Sequence, residues 1–432
     1  MGGIRLALAA GISAALLTSM AAAAAVPPTF NNDAAPNGLG TDAGEPSIGV
    51  NFKTGKVFEQ AGLQTLRVDY STTPPTWASV GSTITSTTSL DPILYTEHST
   101  GRTFVSQLSA GCSLMAFTDD DGASWFQNPI GCGLASGADH QTVGGGPFAP
   151  GLVGPTTSYP KAVYYCAQAV ATAQCALSTN GGLSFNPSVP IYNATQCGGL
   201  HGHIKVAPNG TAYVPNADCG GKSGVAYSTN NGTSWTVSTV PDSSTQDESD
   251  PSVGIGAGNT VYFGYDNDVN KGAESHPMIS VRRNGTWSPS VDVGASLGIK
   301  NAQFPAVVAG DDDRAAFAFL GTTTAGDDQS SSFAGVWHLY VATTYDGGGT
   351  WTTVDATPSD PVQRGCIWLG GGSNQCRNLL DFMDATIDQT GRILVGYADG
   401  CTTTCVSGGK NTFSALATIA RQSGGDDLLA AQ

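Results

Sequence analysis

Apolar residues along this chain alternate with polar ones in short runs, and glycine-rich turns cut the runs apart. "SLMAF" (113–117), "GVAY" (224–227), "TAYV" (211–214) and "RILV" (392–395) each place apolar side chains on one face of an extended segment, the signature of half-buried β-strands. No segment after the N-terminus repeats its apolar residues at helical spacing, so the pattern predicts an all-β protein. Four octapeptides punctuate the strands: "TDDDGASW" at 118–125, "STNGGLSF" at 178–185, "STNNGTSW" at 228–235 and "TYDGGGTW" at 344–351. Weaker versions end at Trp77 and Trp287.

A second signal opens each repeat. Glu45-Pro46-Ser47-Ile48 is followed ten residues later by Gly55, Asp91-Pro92-Ile93-Leu94 by Gly101, and Asp381-Phe382-Met383-Asp384 by Gly391. Further starts fall at Asp139, Leu200, Asp250 and Phe304. Each unit therefore reads strand, glycine turn, strand, variable loop, strand, octapeptide turn, strand. Four-stranded antiparallel units repeated at this spacing predict a β-propeller, seven blades by the count of starts and six as the alternative. In the octapeptide, Asp or Asn bonds nearby amides, Gly takes a positive φ, and the aromatic packs into the blade. The motif is a folding device, so Asp120 and Asp346 are poor catalytic candidates.

"TDDDGASW" and its companions resemble the Asp-box, the bacterial neuraminidase repeat of sialidase-like propellers, over roughly residues 45–425. The resemblance implies that box turns lie on one face and the ligand pocket on the other, where blade starts and long second-to-third-strand loops gather. It also implies a glycan as partner. Sialidases open the first blade with an Arg-Ile-Pro motif; this chain has Glu45-Pro46-Ser47 there, and no sialidase catalytic residue transfers to it. Expected activities are a glycoside hydrolase other than a true sialidase, with a polysaccharide lyase or a non-catalytic glycan- or protein-binding propeller as alternatives.

Candidate chemistry lies at the blade starts. Glu45, Asp91, Asp139, Asp250 and Asp381 repeat an acid at the first position, which suits backbone hydrogen bonds between blades and also a ring able to hold calcium. Departures from the repeat are more telling. His140 and His201 stand at the second position, and His203 and Asp384 occupy a fourth position that is otherwise apolar. Hydrolysis would draw on paired carboxyls among Asp139, Asp250, Asp384 and Glu248. Elimination would use His140, His201 or Tyr265 as base. "HGH" (201–203) with His140 and Asp139 could ligate zinc, though no metal is required by the motif set. Glu45, Asp91, Glu248, His276 and Asp381 complete the candidate substrate-binding groups.

Composition narrows the partners. The net charge is −16, and no basic cluster offers a face for nucleic acid or an anionic membrane. Residues 1–25 carry an early Arg5, an apolar run and an alanine tract, as a secretory signal peptide does. The ten cysteines form five pairs of sequence neighbours, Cys112/Cys132, Cys166/Cys175, Cys197/Cys219, Cys366/Cys376 and Cys401/Cys405, expected as disulfides in an exported monomer. Residues 26–44 are expected to be a linker and 426–432 a tail.

Overall fold

Thirty strands and four short 3-10 turns make up the regular structure of the described residues, with no α-helix among them. The computed structural model describes residues 2, 25–87, 89, 91–109, 112–128, 139–151, 158–169, 172–244, 249–268 and 272–430. The signal-peptide reading thus lies almost wholly outside the described residues. No described helix is long and apolar enough to cross a membrane.

The strands form five separate four-stranded sheets and one ten-stranded sheet. The first four sheets span Ser47–Ser79, Pro92–Asn128, Asp139–Pro190 and Lys205–Thr239. The ten-stranded sheet is continuous only through one parallel residue pair, Ser275 with Asn301. On either side of that pair the strands run antiparallel, over Ser252–Asp292 and Asn301–Arg364. Sheet count alone therefore gives six, and a count of seven blades depends on dividing the large sheet there.

Inner strands of successive units are tied by short polar side chains that accept backbone N–H groups of the next unit. Leu94 donates to Ser47 Oγ at 2.7 Å, Ile204 to Thr142 Oγ1 at 3.0 Å and Val307 to Ser252 Oγ at 2.9 Å. Asp91 plays the same part at a first position, its Oδ2 accepting from Gln141 N at 2.5 Å. Such bonds satisfy donors that a packed interior would otherwise strand. Gly202, between His201 and His203, belongs to this packing, since a Cβ there would lie 1.9 Å from the carbonyl oxygen of Pro251.

Closure comes from the N-terminal stretch expected as a linker. Thr29–Ala34 is the outer strand of the last sheet, antiparallel to Leu416–Gly424, which is followed inward by Ile393–Asp399 and Asp384–Ile387. Two segments from opposite parts of the chain thus complete one sheet, with Thr29–Ala34 as its outermost strand. The expected tail is also docked, with Leu428 fully buried and its N–H bonded to Gly391 O at 2.8 Å.

The octapeptide turns have the bonding expected of them. In the first, Ser124 N and Oγ donate to Asp120, and Gly122 N donates to Thr118 Oγ1 at 2.9 Å. Asn180, Asn230 and Asp346 repeat the contact with Ser184 N, Ser234 N and Thr350 N. The aromatic behaves differently from expectation. Trp125 is half-buried and reaches the preceding sheet, where its Nε1 donates to Val80 O at 2.6 Å. Disulfides join Cys166–Cys175, Cys197–Cys219, Cys366–Cys376 and Cys401–Cys405. Cys132 of the fifth pair lies outside the described residues.

Candidate functional site

Blade starts converge near the propeller axis. His140 Nε2 lies 3.3 Å from Asp250 Oδ1, and the His140 and His201 rings are 6.3 Å apart, edge to face. Arg377 grips Asp381 with both terminal nitrogens. Burial, then the neighbouring Asp91 and Asp381, push the Glu45 carboxyl well above its usual range. Backbone strain accompanies the cluster, because Glu45 (φ 57°), His140 (φ 43°), Phe304 (φ 62°) and Leu380 (φ 60°) all adopt left-handed conformations, which are costly for residues with side chains. At His140 the strand slips register between Asp139 and Gln141.

Burial corrects the expected role of this cluster. Glu45, Asp91, His140, His201, Asp250 and Asp381 are all under a tenth exposed, and His201 only 1%. Burial and the nearby His140 lower the His201 pKa to about 4, so it does not titrate between pH 6 and 7 as an exposed base would. The side chain of Asp139 and the whole of Glu248 lie outside the described residues. Tyr265 is not at the axis: it sits in the core between two sheets, its hydroxyl 2.8 Å from Ser290 Oγ and its pKa raised by burial to about 12. His276 is also elsewhere, paired with Asp292 at 2.7 Å and Glu274 at 3.3 Å on its own sheet edge. Among the described residues, no three His, Cys, Asp or Glu side chains are grouped to hold a metal ion.

His203 and Asp384 line a second feature, an axial channel of about 410 Å³ walled by the inner strands. Most of its wall is aliphatic, including Ile93, Val143, Val253 and Val307. Asp384 lies 3.6 Å from Lys205 Nζ and 3.9 Å from His203 Nδ1. Burial would raise its pKa, but Lys205 and His203 outweigh burial and hold it below the usual value. Glu97, also in the channel, is depressed in the same way, by Thr100, Lys161 and Ser99 against burial. Neither channel carboxyl is held protonated for donation.

The third feature was missed from the sequence. A groove of about 410 Å³ runs between the Lys205–Thr239 sheet and its successor on the face of the octapeptide turns, with Asp312 of the following unit at its edge. Tyr213 and Tyr227 stack there at 6.0 Å, and the Arg282 guanidinium lies 4.8 Å above the Tyr227 ring. Arg283 donates from Nε to Thr260 Oγ1 at 3.1 Å. Asn209, Asn259 and Asn284 complete a polar rim. The Asp312 carboxylate is already engaged by Gly258 N, Thr260 N and Thr260 Oγ1. A signal was present in the sequence: the turn of this unit is "RRNGTW" (282–287), with arginine two residues before Gly285 where the octapeptides have Asp or Asn. Asn284 (φ 48°) and Gly285 (φ 85°) form instead a tight two-residue hairpin, the turn favoured by Asn-Gly.

No protein-family model matches the chain, and no curated protein matches it. Solved structures do resemble it. A protein of unknown function from Dyadobacter fermentans is 14% identical, with 92% of this chain and 99% of that one covered and a TM-score of 0.46. The six-bladed fucose-recognising lectin of Aleuria aurantia is 12% identical over 76% and 96% of the two chains, with a TM-score of 0.45. The GH74 xyloglucanase of Xanthomonas campestris is 11% identical, TM-score 0.49, and the match covers 86% of this chain but 53% of the enzyme. In architecture the chain is a β-propeller. That statement stands on its antiparallel sheets and box turns, and the neighbours' activities are their own.

Proposed function

We propose that this propeller is an exported carbohydrate-binding protein whose ligand sits in the groove lined by Tyr227, Asn259, Arg282 and Arg283. The groove carries the reading: it combines aromatic faces, a guanidinium and amide side chains in a volume of about 410 Å³, and binding pockets typically span roughly 300–1,000 Å³. A sugar ring offers C–H faces to aromatics and hydroxyls to forked donors, which Tyr213, Tyr227, Arg282 and Asn259 supply. Four disulfides favour an oxidising compartment.

Binding is preferred to cleavage because a glycosidase needs a protonated carboxyl within reach of the leaving oxygen. Of the described carboxyls at the axis, Asp384 and Glu97 are held low, and Glu45 is held high but buried. One observation favours hydrolysis as a second reading: a Glu45 carboxyl pushed well above its usual range stands on strained backbone beside the Arg377-bound Asp381. A glycan panel read both for retention and for new reducing ends separates the two. Retention without cleavage, lost in Tyr227→Ala, is the expected result; new reducing ends that vanish in Glu45→Gln would overturn it.

A further inference from the structure

The groove has an electrostatic character opposite to that of the protein around it. The chain carries 34 acidic and 18 basic residues, yet two adjacent arginines line this one groove. The ion-paired arginines are Arg102, Arg314, Arg377 and Arg421, so Arg282 and Arg283 have no carboxylate in salt-bridge distance among the described residues. Asp312, the carboxylate of the groove, spends its oxygens on the Gly258 and Thr260 donors. Arg282 Nε is buried and makes no hydrogen bond. The Arg282 guanidinium lies 4.8 Å over the Tyr227 ring and 5.9 Å from the Trp287 ring, with the exposed Arg283 beside it in the groove.

The local sequence departs from its repeats in the same sense. The octapeptides place Asp120, Asn180, Asn230 and Asp346 two residues before a glycine, where each binds its own turn. Arg283 stands at that place here, and the hairpin is closed by Asn284-Gly285 without a side-chain tether. Arg283 holds Thr260 Oγ1 and the Asp312 carbonyl instead, and its exposed side chain lines the groove.

We propose that the groove binds an anionic sugar, with a uronate carboxylate or a sulfate ester seated on the Arg282 and Arg283 guanidiniums. This rests on the carbohydrate-binding reading above and adds the charge of the ligand. Guanidinium forks match both anions in geometry. The field of the remaining acidic surface repels polyanions elsewhere, so the same contrast selects where on the molecule the acidic residue docks.

The test uses the purified full-length mature chain on an array of uronate-containing and sulfated oligosaccharides. Each is printed beside its neutral counterpart, methyl-esterified or desulfated. Acidic members are expected to be retained and their neutral counterparts to bind at least about tenfold more weakly, the scale of one lost charge-assisted contact. Which acidic set is retained tells carboxylate from sulfate. Added NaCl should weaken the wild-type interaction, because the groove is open to solvent. Arg282→Gln and Arg283→Gln should each erase the preference, with circular dichroism showing that the variants keep the wild-type fold. Equal binding of acidic and neutral partners, or salt-independent binding, would overturn the anion assignment and leave carbohydrate binding standing. An array with no retained member would remove both.

Discussion

His140 Nε2 meets Asp250 Oδ1 at 3.3 Å across a sequence separation of 110, with both side chains 7% exposed. His201 stands edge-on to the same ring. Residues from separate units therefore share one buried polar knot where the inner strands begin, and the knot behaves as part of the core. Replacing His140 with Ala should strip Asp250 of that contact and cost about 1–3 kcal/mol, as leaving a buried polar group without its partner does. Urea denaturation checks the stability, and the glycan array checks that ligand retention survives in the folded fraction. Lost retention at unchanged stability would put the site at the knot instead.

Glu59 should make stability depend on pH. It is fully buried, neither carboxyl oxygen has a hydrogen-bond partner, and burial pushes its pKa well above the ordinary value. A raised folded-state pKa contributes stability below the unfolded value near 4.5, and that contribution is lost as pH rises toward the folded value. The slope for one such group approaches about 1.4 kcal/mol per pH unit. Glu59→Gln should flatten the profile between pH 5 and 8 and leave the variant more stable than wild type at pH 8. A variant whose unfolding free energy follows the wild-type slope would contradict this.

Trp125 joins two sheets while remaining half-exposed. Trp125→Ala should cost roughly 2 kcal/mol, below the ~3–5 typical of fully buried tryptophan or phenylalanine. Asp120→Asn should cost much less, since Asn180 and Asn230 make the same turn contact. Thermal unfolding of the two variants side by side measures the difference; an Asp120→Asn effect larger than that of Trp125→Ala would mean the carboxylate does more than hold the turn.

Deleting residues 26–34 should lower the melting temperature and promote association. Leu416–Gly424 would lose its antiparallel neighbour and present an open edge. Calorimetry and light scattering of the truncated chain would reveal both effects, and an unchanged, monodisperse product would show that closure does not depend on this strand.

Strand alternation, glycine turns and the octapeptides were sufficient to predict an all-β propeller, because those signals are local: a period of two, a positive φ and a short polar tether act within a few residues. Four of the neighbouring cysteine pairs were legible for the same reason, each spanning a short loop or hairpin. The closing strand was not, since "TFNNDA" (29–34) has no apolar alternation and owes its conformation to a partner nearly 400 residues away. Chemistry at the blade starts was legible only as a list. The sequence brings His140 and His201 to the second position of their units and Asp250 to the first of its own, but whether water reaches them depends on how every inner strand packs around the axis. The groove was hardest to see, although its arginines broke the repeat in plain view. Tyr213, Tyr227, Arg282 and Asp312 come from three successive units, and their shared volume exists only once side-by-side packing has set the distance between those units.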